Sequence, residues 1–179
     1  MFPRLVLLAA GLVALIGCAN NQAPDVSGNI RNSLKQAGLN DVSVSQDRTK
    51  GVVTLGGTVQ NDADKARAQQ IATPIASGQV VANEISVRPN GNESTAKAVS
   101  SDLDKGIQSN LDAALTQANI KGVRHTTKNG VVTLTGNLNS PTQKANAERV
   151  AAAVPNVQQV VNEIELKNQP ATSAERSTR

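Results

Sequence analysis

Apolar residues along the chain keep two different rhythms, and the pair of rhythms occurs twice. Val26, Ile30 and Leu34 recur at four-residue intervals, as do Leu103, Ile107, Leu111 and Leu115. That spacing gathers each group on one face of an amphipathic helix. Each helix is followed by a short apolar segment, Val42 to Val44 in one case and around Val123 in the other, and then by a period of two. Val53, Leu55, Gly57 and Val59, and likewise Val132, Leu134, Gly136 and Leu138, alternate with their neighbours as half-buried strands do. Asn129-Gly130, just before the second of these strands, is a hairpin sequence because both residues tolerate positive φ.

A second helix is expected after each strand pair. Asn61 or Asp62 can cap its amino end in the first copy, and Ser140 followed by Pro141 can do so in the second. Pro74 and Pro155 fall near the ends of these helices, and a last strand is expected over about Val80 to Val87 and Val157 to Leu166.

Gly51-Val-Val-Thr-Leu-Gly-Gly57 returns as Gly130-Val-Val-Thr-Leu-Thr-Gly136, an offset of 79 residues. The same offset carries Ala66, Ile71 and Ile75 onto Ala145, Val150 and Val154, and Asn83-Glu84-Ile85 onto Asn162-Glu163-Ile164. Upstream the spacing slips by two: Ile30 and Leu34 pair best with Ile107 and Leu111, which places a longer loop in the second copy. Two copies at so long a period are a duplicated globular domain rather than an open solenoid. The fold class expected is α+β: two tandem αββαβ domains, each a three-stranded mixed sheet with two helices on one face. The domains run over residues 25–87 and 101–166, joined by a polar linker at 88–100 and followed by a disordered tail at 167–179.

Residues 1–17 have a different character. One positive charge at Arg4 precedes the apolar run Leu5 to Ile16, shorter than the roughly 20 residues that span a bilayer. This is the pattern of a cleaved signal peptide. It ends in Leu15-Ile16-Gly17-Cys18, which resembles the lipobox of bacterial lipoproteins, and that resemblance implies diacylglycerol on Cys18 and palmitate among its acyl chains. Ala19, rather than Asp, follows the cysteine, which by the same resemblance implies the periplasmic face of the outer membrane. Residues 18–24 are then a short tether.

Composition narrows the chemistry. The chain carries 18 basic and 14 acidic residues, a net +4, and Phe2 is its only aromatic residue. So mild a charge, with no aromatic platform for base stacking beyond the leader, argues against nucleic acid. The sole His is His125 and the sole Cys, Cys18, is taken up by lipid, which leaves no pair of nucleophile and base for covalent catalysis and no clustered ligand set for zinc, so no catalytic residue, metal site or cofactor is expected. Asp102, Asp104 and Asp112 lack the Gly-centred loop of a calcium site and read as a solvated helix face. The glycines at 51, 57, 130 and 136 flank strands and do not open a helix, so they read as turns and strand ends. Asn83 and Asn162 fall on apolar faces and must find hydrogen-bond partners there, tying strand to turn. Lys121, Arg124, His125 and Lys128 remain, grouped around the first strand and hairpin of the second copy, as candidates for contact with anionic headgroups.

The order of elements, the glycine-flanked second strand and the closing Val-x-Asn-x-Ile pattern resemble the BON domain, in both copies. A lipobox followed by two such domains is similar to the outer-membrane lipoproteins of the DolP type. The resemblance implies binding to phospholipid surfaces and support of outer-membrane integrity under stress. A periplasmic scaffold that docks an envelope assembly machine or channel stands as the alternative. Replacing Cys18 by Ala is expected to abolish incorporation of labelled palmitate and to move the protein from the membrane to the soluble fraction. Label retained on the variant would refute lipidation at this residue.

Overall fold

The computed structural model describes residues 22–167; the expected leader, Cys18 and the tail from residue 168 lie outside them. The first copy runs α1 (Ser27–Gln36), β1 (Val42–Asp47), β2 (Val52–Val59), α2 (Asp62–Ile75) and a last strand in two pieces, β3 (Val80–Asn83) and β4 (Ser86–Val87). The second runs α3 (Glu93–Gln117), β5 (Val123–Lys128), β6 (Val131–Leu138), α4 (Pro141–Ala152) and β7 (Gln159–Leu166). The central strand of each sheet pairs antiparallel with the strand before it and parallel with the last one, so both sheets are mixed. Where three strands were expected in the first copy, the interruption at Glu84 and Ile85 makes four.

Local chemistry accounts for the element boundaries. The side chain of Asn61 accepts from the Asp64 amide and that of Ser140 from the Gln143 amide, satisfying donors at the two helix starts that lack a partner within the helix. Asn129 and Gly130, with φ of 49° and 79°, turn β5 directly into β6. One face of each sheet receives the helices. Ile30, Leu34, Val53 and Leu55 make the first core with Ala68 and Ala72, and Leu111, Leu115, Val132 and Leu134 make the second with Ala147 and Ala151. With no aromatic side chain to fill space, fully buried alanines bring α2 and α4 close to their sheets.

The alignment of the two copies differs from the sequence expectation. The Leu39 amide donates to Leu34 O, and the Ile120 amide to Leu115 O, both at 2.9 Å. Val42 faces Gly57 as Val123 faces Gly136. The offset before the hairpin is therefore 81, matching Ile30 with Leu111 and Leu34 with Leu115. The longer loop is in the first copy, four residues from Arg48 to Gly51 against Asn129-Gly130. The expected pairing was one helical turn out of place, and a stripe with four-residue spacing survives such a slip unchanged.

Leu103 consequently lies one turn ahead of the second core and is 43% exposed. Most of the expected linker at 88–100 is helical: α3 begins at Glu93, and only Arg88 to Asn92 lies between the last strand of the first copy and that helix. Residues 93–100 contain no Gly or Pro, so the amphipathic part of α3 extends through them toward Gly91. Lys167, placed in the tail by the sequence, donates its amide to Leu138 O and belongs to the second domain.

The domains meet through the sides of their sheets that carry no helix. Val52 and Ala82 from the first pack with Val131 and Val161 from the second, positions related by the 79-residue repeat. Polar contacts follow the same relation. Lys50 pairs with Glu163 at 2.6 Å, while Asn129, the counterpart of Lys50, donates to the carbonyl of Glu84, the counterpart of Glu163. Lys128 adds an ion pair with Glu84 at 2.9 Å. Two contacts break the symmetry. The Gln159 amide accepts from Asn83 N and donates to Val81 O, sealing part of the outer edge of β3, whereas its counterpart is Val80. Lys65 reaches Gln158 Oε1 at 3.1 Å, and burial pushes its ammonium below the usual lysine range.

Gly57 and Gly136 hold φ of 90° and 129°, and a Cβ on either would collide with a backbone carbonyl, that of Asp41 or of Gly122. Gly57→Ala and Gly136→Ala are each expected to lower stability by about 1–3 kcal/mol in urea unfolding. Gly28→Ala, within α1 and with open space around it, is expected to raise stability by roughly 0.5 kcal/mol. Gln159→Leu leaves two backbone groups without partners and is expected to cost about 1–3 kcal/mol by the same measurement. The Val80→Gln change, at the 45% exposed counterpart, is expected to stay within about 0.5 kcal/mol.

Candidate functional site

Strand alternation separates the four residues that the sequence grouped around β5. Arg124 and Lys128 are exposed, at alternate positions with Thr126, whereas His125 points toward the helices. Its Nε2 lies 2.9 Å from Asp112 Oδ1 on α3, and its side chain is 10% exposed against 74% for the aspartate. His125 Nδ1 and Thr127 Oγ1, two residues on along the same side, are buried with no partner among the described residues. Lys128 is engaged by Glu84 of the first domain. Lys121 precedes the strand, in the connection from α3. The structure thus brings Arg124 and Lys128 onto one face of β5, places Lys121 just before that strand, and turns His125 away from Arg124 and Lys128.

Lys121 has a neighbour that its sequence context did not disclose. Together with Lys167 it borders a cavity of about 410 Å³ at the end of the domain where α3 leads into β5 and β6 into α4. Asn119, Asn137, Asn139 and Gln143 line the same space. Nothing in the spacing of these residues announces the grouping, because they come from two connections, the end of β6, the first turn of α4 and the residue after β7.

The aspartates of α3 do more than face solvent. Asp104 accepts from the amides of Asn129 and Gly130, fastening the hairpin to the helix, and Asp112 holds His125. Only Asp102 is confined to its own helix, paired with Lys105. Asn83 and Asn162 have the structural role expected: each accepts from the amide two residues on, that of Ile85 or of Ile164, and each also reaches a helix. Asn83 donates to Lys65 O and Gln69 Oε1, and Asn162 to Lys144 O and Glu148 Oε2. Among the described residues no group of three or more His, Cys, Asp and Glu is arranged to hold a metal ion, and no helix is long and apolar enough to cross a membrane.

Exposed apolar surface is concentrated on α3. Val99 is 59% exposed and Leu103 43%, one turn apart on the part of the helix that precedes the second core. Among the described residues the equivalent helix of the first copy, α1, begins only at Ser27.

The chain is 32% identical over 130 residues to osmotically-inducible protein Y of Escherichia coli (strain K12), across 71% of this chain and 62% of that protein. It therefore spans about three-fifths of the length of this curated relative. Among solved structures, the C-terminal domain of CdsD, the structural protein of the type III secretion system of Chlamydia trachomatis, overlaps 78% of this chain and 63% of its own, with 15% identity and a TM-score of 0.33. A second structure of CdsD overlaps 78% of this chain and 90% of its own, with 14% identity and a TM-score of 0.35. The BON domain profile matches twice, over residues 22–89 and 103–168, in register with the two αββαβ units. With both units accounted for, the chain belongs to the BON domain family.

Proposed function

We propose that this protein is a lipid-anchored envelope protein whose tandem BON domains touch an anionic phospholipid surface and support outer-membrane integrity under stress. It is a binding module, not an enzyme. The observation that carries this reading is the placement of cations on the second domain, with Arg124 and Lys128 exposed on β5 and Lys121 just before that strand. Each such charge near an anionic leaflet contributes about 1 kcal/mol and is screened by salt. That orients a domain held by acyl chains on Cys18, outside the described residues, and gives a free one weak, salt-sensitive attachment. The relative's induction by osmotic stress, as its name states, supports the same assignment.

A second reading has its own observation. Val99 and Leu103 present apolar surface on a helical turn with no core beneath it, the kind of feature that docks a protein partner. An envelope assembly machine or channel is the partner class this reading implies.

Co-sedimentation of residues 22–179 with vesicles of graded anionic content, at low and moderate salt, separates the two. Binding to anionic vesicles alone is expected, falling about tenfold or more when Lys121, Arg124 and Lys128 are reversed to Glu. A protein that stays in solution at every composition would sink the membrane reading and favour the protein partner.

A further inference from the structure

The cavity bordered by Lys121 and Lys167 gathers two lysines at one end of the second domain. Its side-chain lining supplies two ammonium groups and four carboxamides, and no carboxylate. Neither lysine forms an ion pair with another described residue. Gln143 Oε1 accepts from the Asn139 amide, which leaves the Gln143 side-chain NH₂ as a donor. Gly122, at φ 82°, adds no side chain to the space.

The first domain provides an internal comparison, since it has the same fold and the same connections. At the positions equivalent to Lys121, Gly122, Gln143 and Lys167 it carries Asn40, Asp41, Asp64 and Arg88. Charge there is −1 where the second domain has +2. The fold is built equally well with either sign, so folding does not require the lysines. A cationic, amide-lined cavity within the roughly 300–1,000 Å³ range of small-ligand sites suits a compact anion rich in acceptor oxygens. Lysine meets phosphate as a point charge and carboxamides supply neutral donors around it.

We propose that this end of the second domain is a phosphate-binding site, taking either the phosphodiester of a lipid headgroup or a free phosphate group. Lys121 and Lys167 supply the charge. As a headgroup site it rests on the membrane reading above; as a site for soluble phosphate it stands without it.

The test follows backbone amide resonances of ¹⁵N-labelled residues 22–179, which contain both cores complete, at constant ionic strength. One titration uses inorganic phosphate, and the other uses glycerophosphoglycerol, a soluble phosphodiester headgroup. The expected result is a saturable shift confined to Gly122, Asn137, Asn139 and Lys167 with at least one probe. Affinity should fall at least fivefold in the Lys121→Gln, Lys167→Gln double variant. Preference for the phosphodiester assigns the site to lipid, and equal or better response to phosphate assigns it to a soluble ligand. No saturable shift with either probe, or shifts unchanged in the double variant, overturns the site. Vesicle binding by the unmodified chain, measured alongside, keeps the two readings apart. Binding without any shift at the cavity removes the site and leaves the membrane reading, whereas shifts without vesicle binding do the reverse.

Discussion

Val52, Ala82, Val131 and Val161 stand on the sides of the two sheets that no helix covers, and each pair is shielded from water by the other domain. Helices on one face leave the opposite face of a small sheet open, and in this chain the start of that face is apolar in both copies. Burying it at about 25 cal/mol per Å² favours association of the domains, and the polar contacts around it then fix how they meet. Lys50 with Glu163, Asn129 with Glu84 and the Gln159 amide on the edge of β3 all lie beside these four residues. Cores made only of aliphatic side chains and alanine are light, and this shared surface adds to the apolar area that each domain buries.

Much of the fold was legible in the sequence because repetition and periodicity point the same way. The 79-residue offset, the period-two strands and the caps at Asn61 and Ser140 all appear in the structure. The helical slip was not legible, since apolar residues four apart align equally well after a shift of one turn. The domain contact left only a faint trace in the adjacent pairs Val52-Val53 and Val131-Val132, where strict alternation would have left the first of each exposed. In β5 the polar run Arg-His-Thr-Thr-Lys gave no phase, so the separation of His125 from Arg124 and Lys128 had to come from the ladder. Lys167 was hidden by distance along the chain.

The two domains share a backbone plan and differ in what is placed upon it. The first closes against the second with Lys65, which lies half-buried over the hairpin that Asp104 fastens. The second retains exposed cations on β5, a basic cavity at one end and the apolar turn of α3. Features that do not serve folding are thus concentrated in one copy, while the other supplies much of the support. Sites on a scaffold so arranged vary without disturbing the cores, because none of Lys121, Arg124 and Lys167 belongs to either apolar cluster.

The near-twofold contact between the domains has a further consequence for how this surface accepts change. In a symmetric pair of identical chains any substitution is made twice, and both halves must tolerate it. Here the two halves are separate stretches of one polypeptide, so each substitution is made once. Gln159 bonds the β3 edge while Val80 takes its place across the axis, and Asn129 stands opposite Lys50 with a different partner atom. Covalent linkage has released the contact from self-complementarity, and a surface so released distinguishes one half from the other.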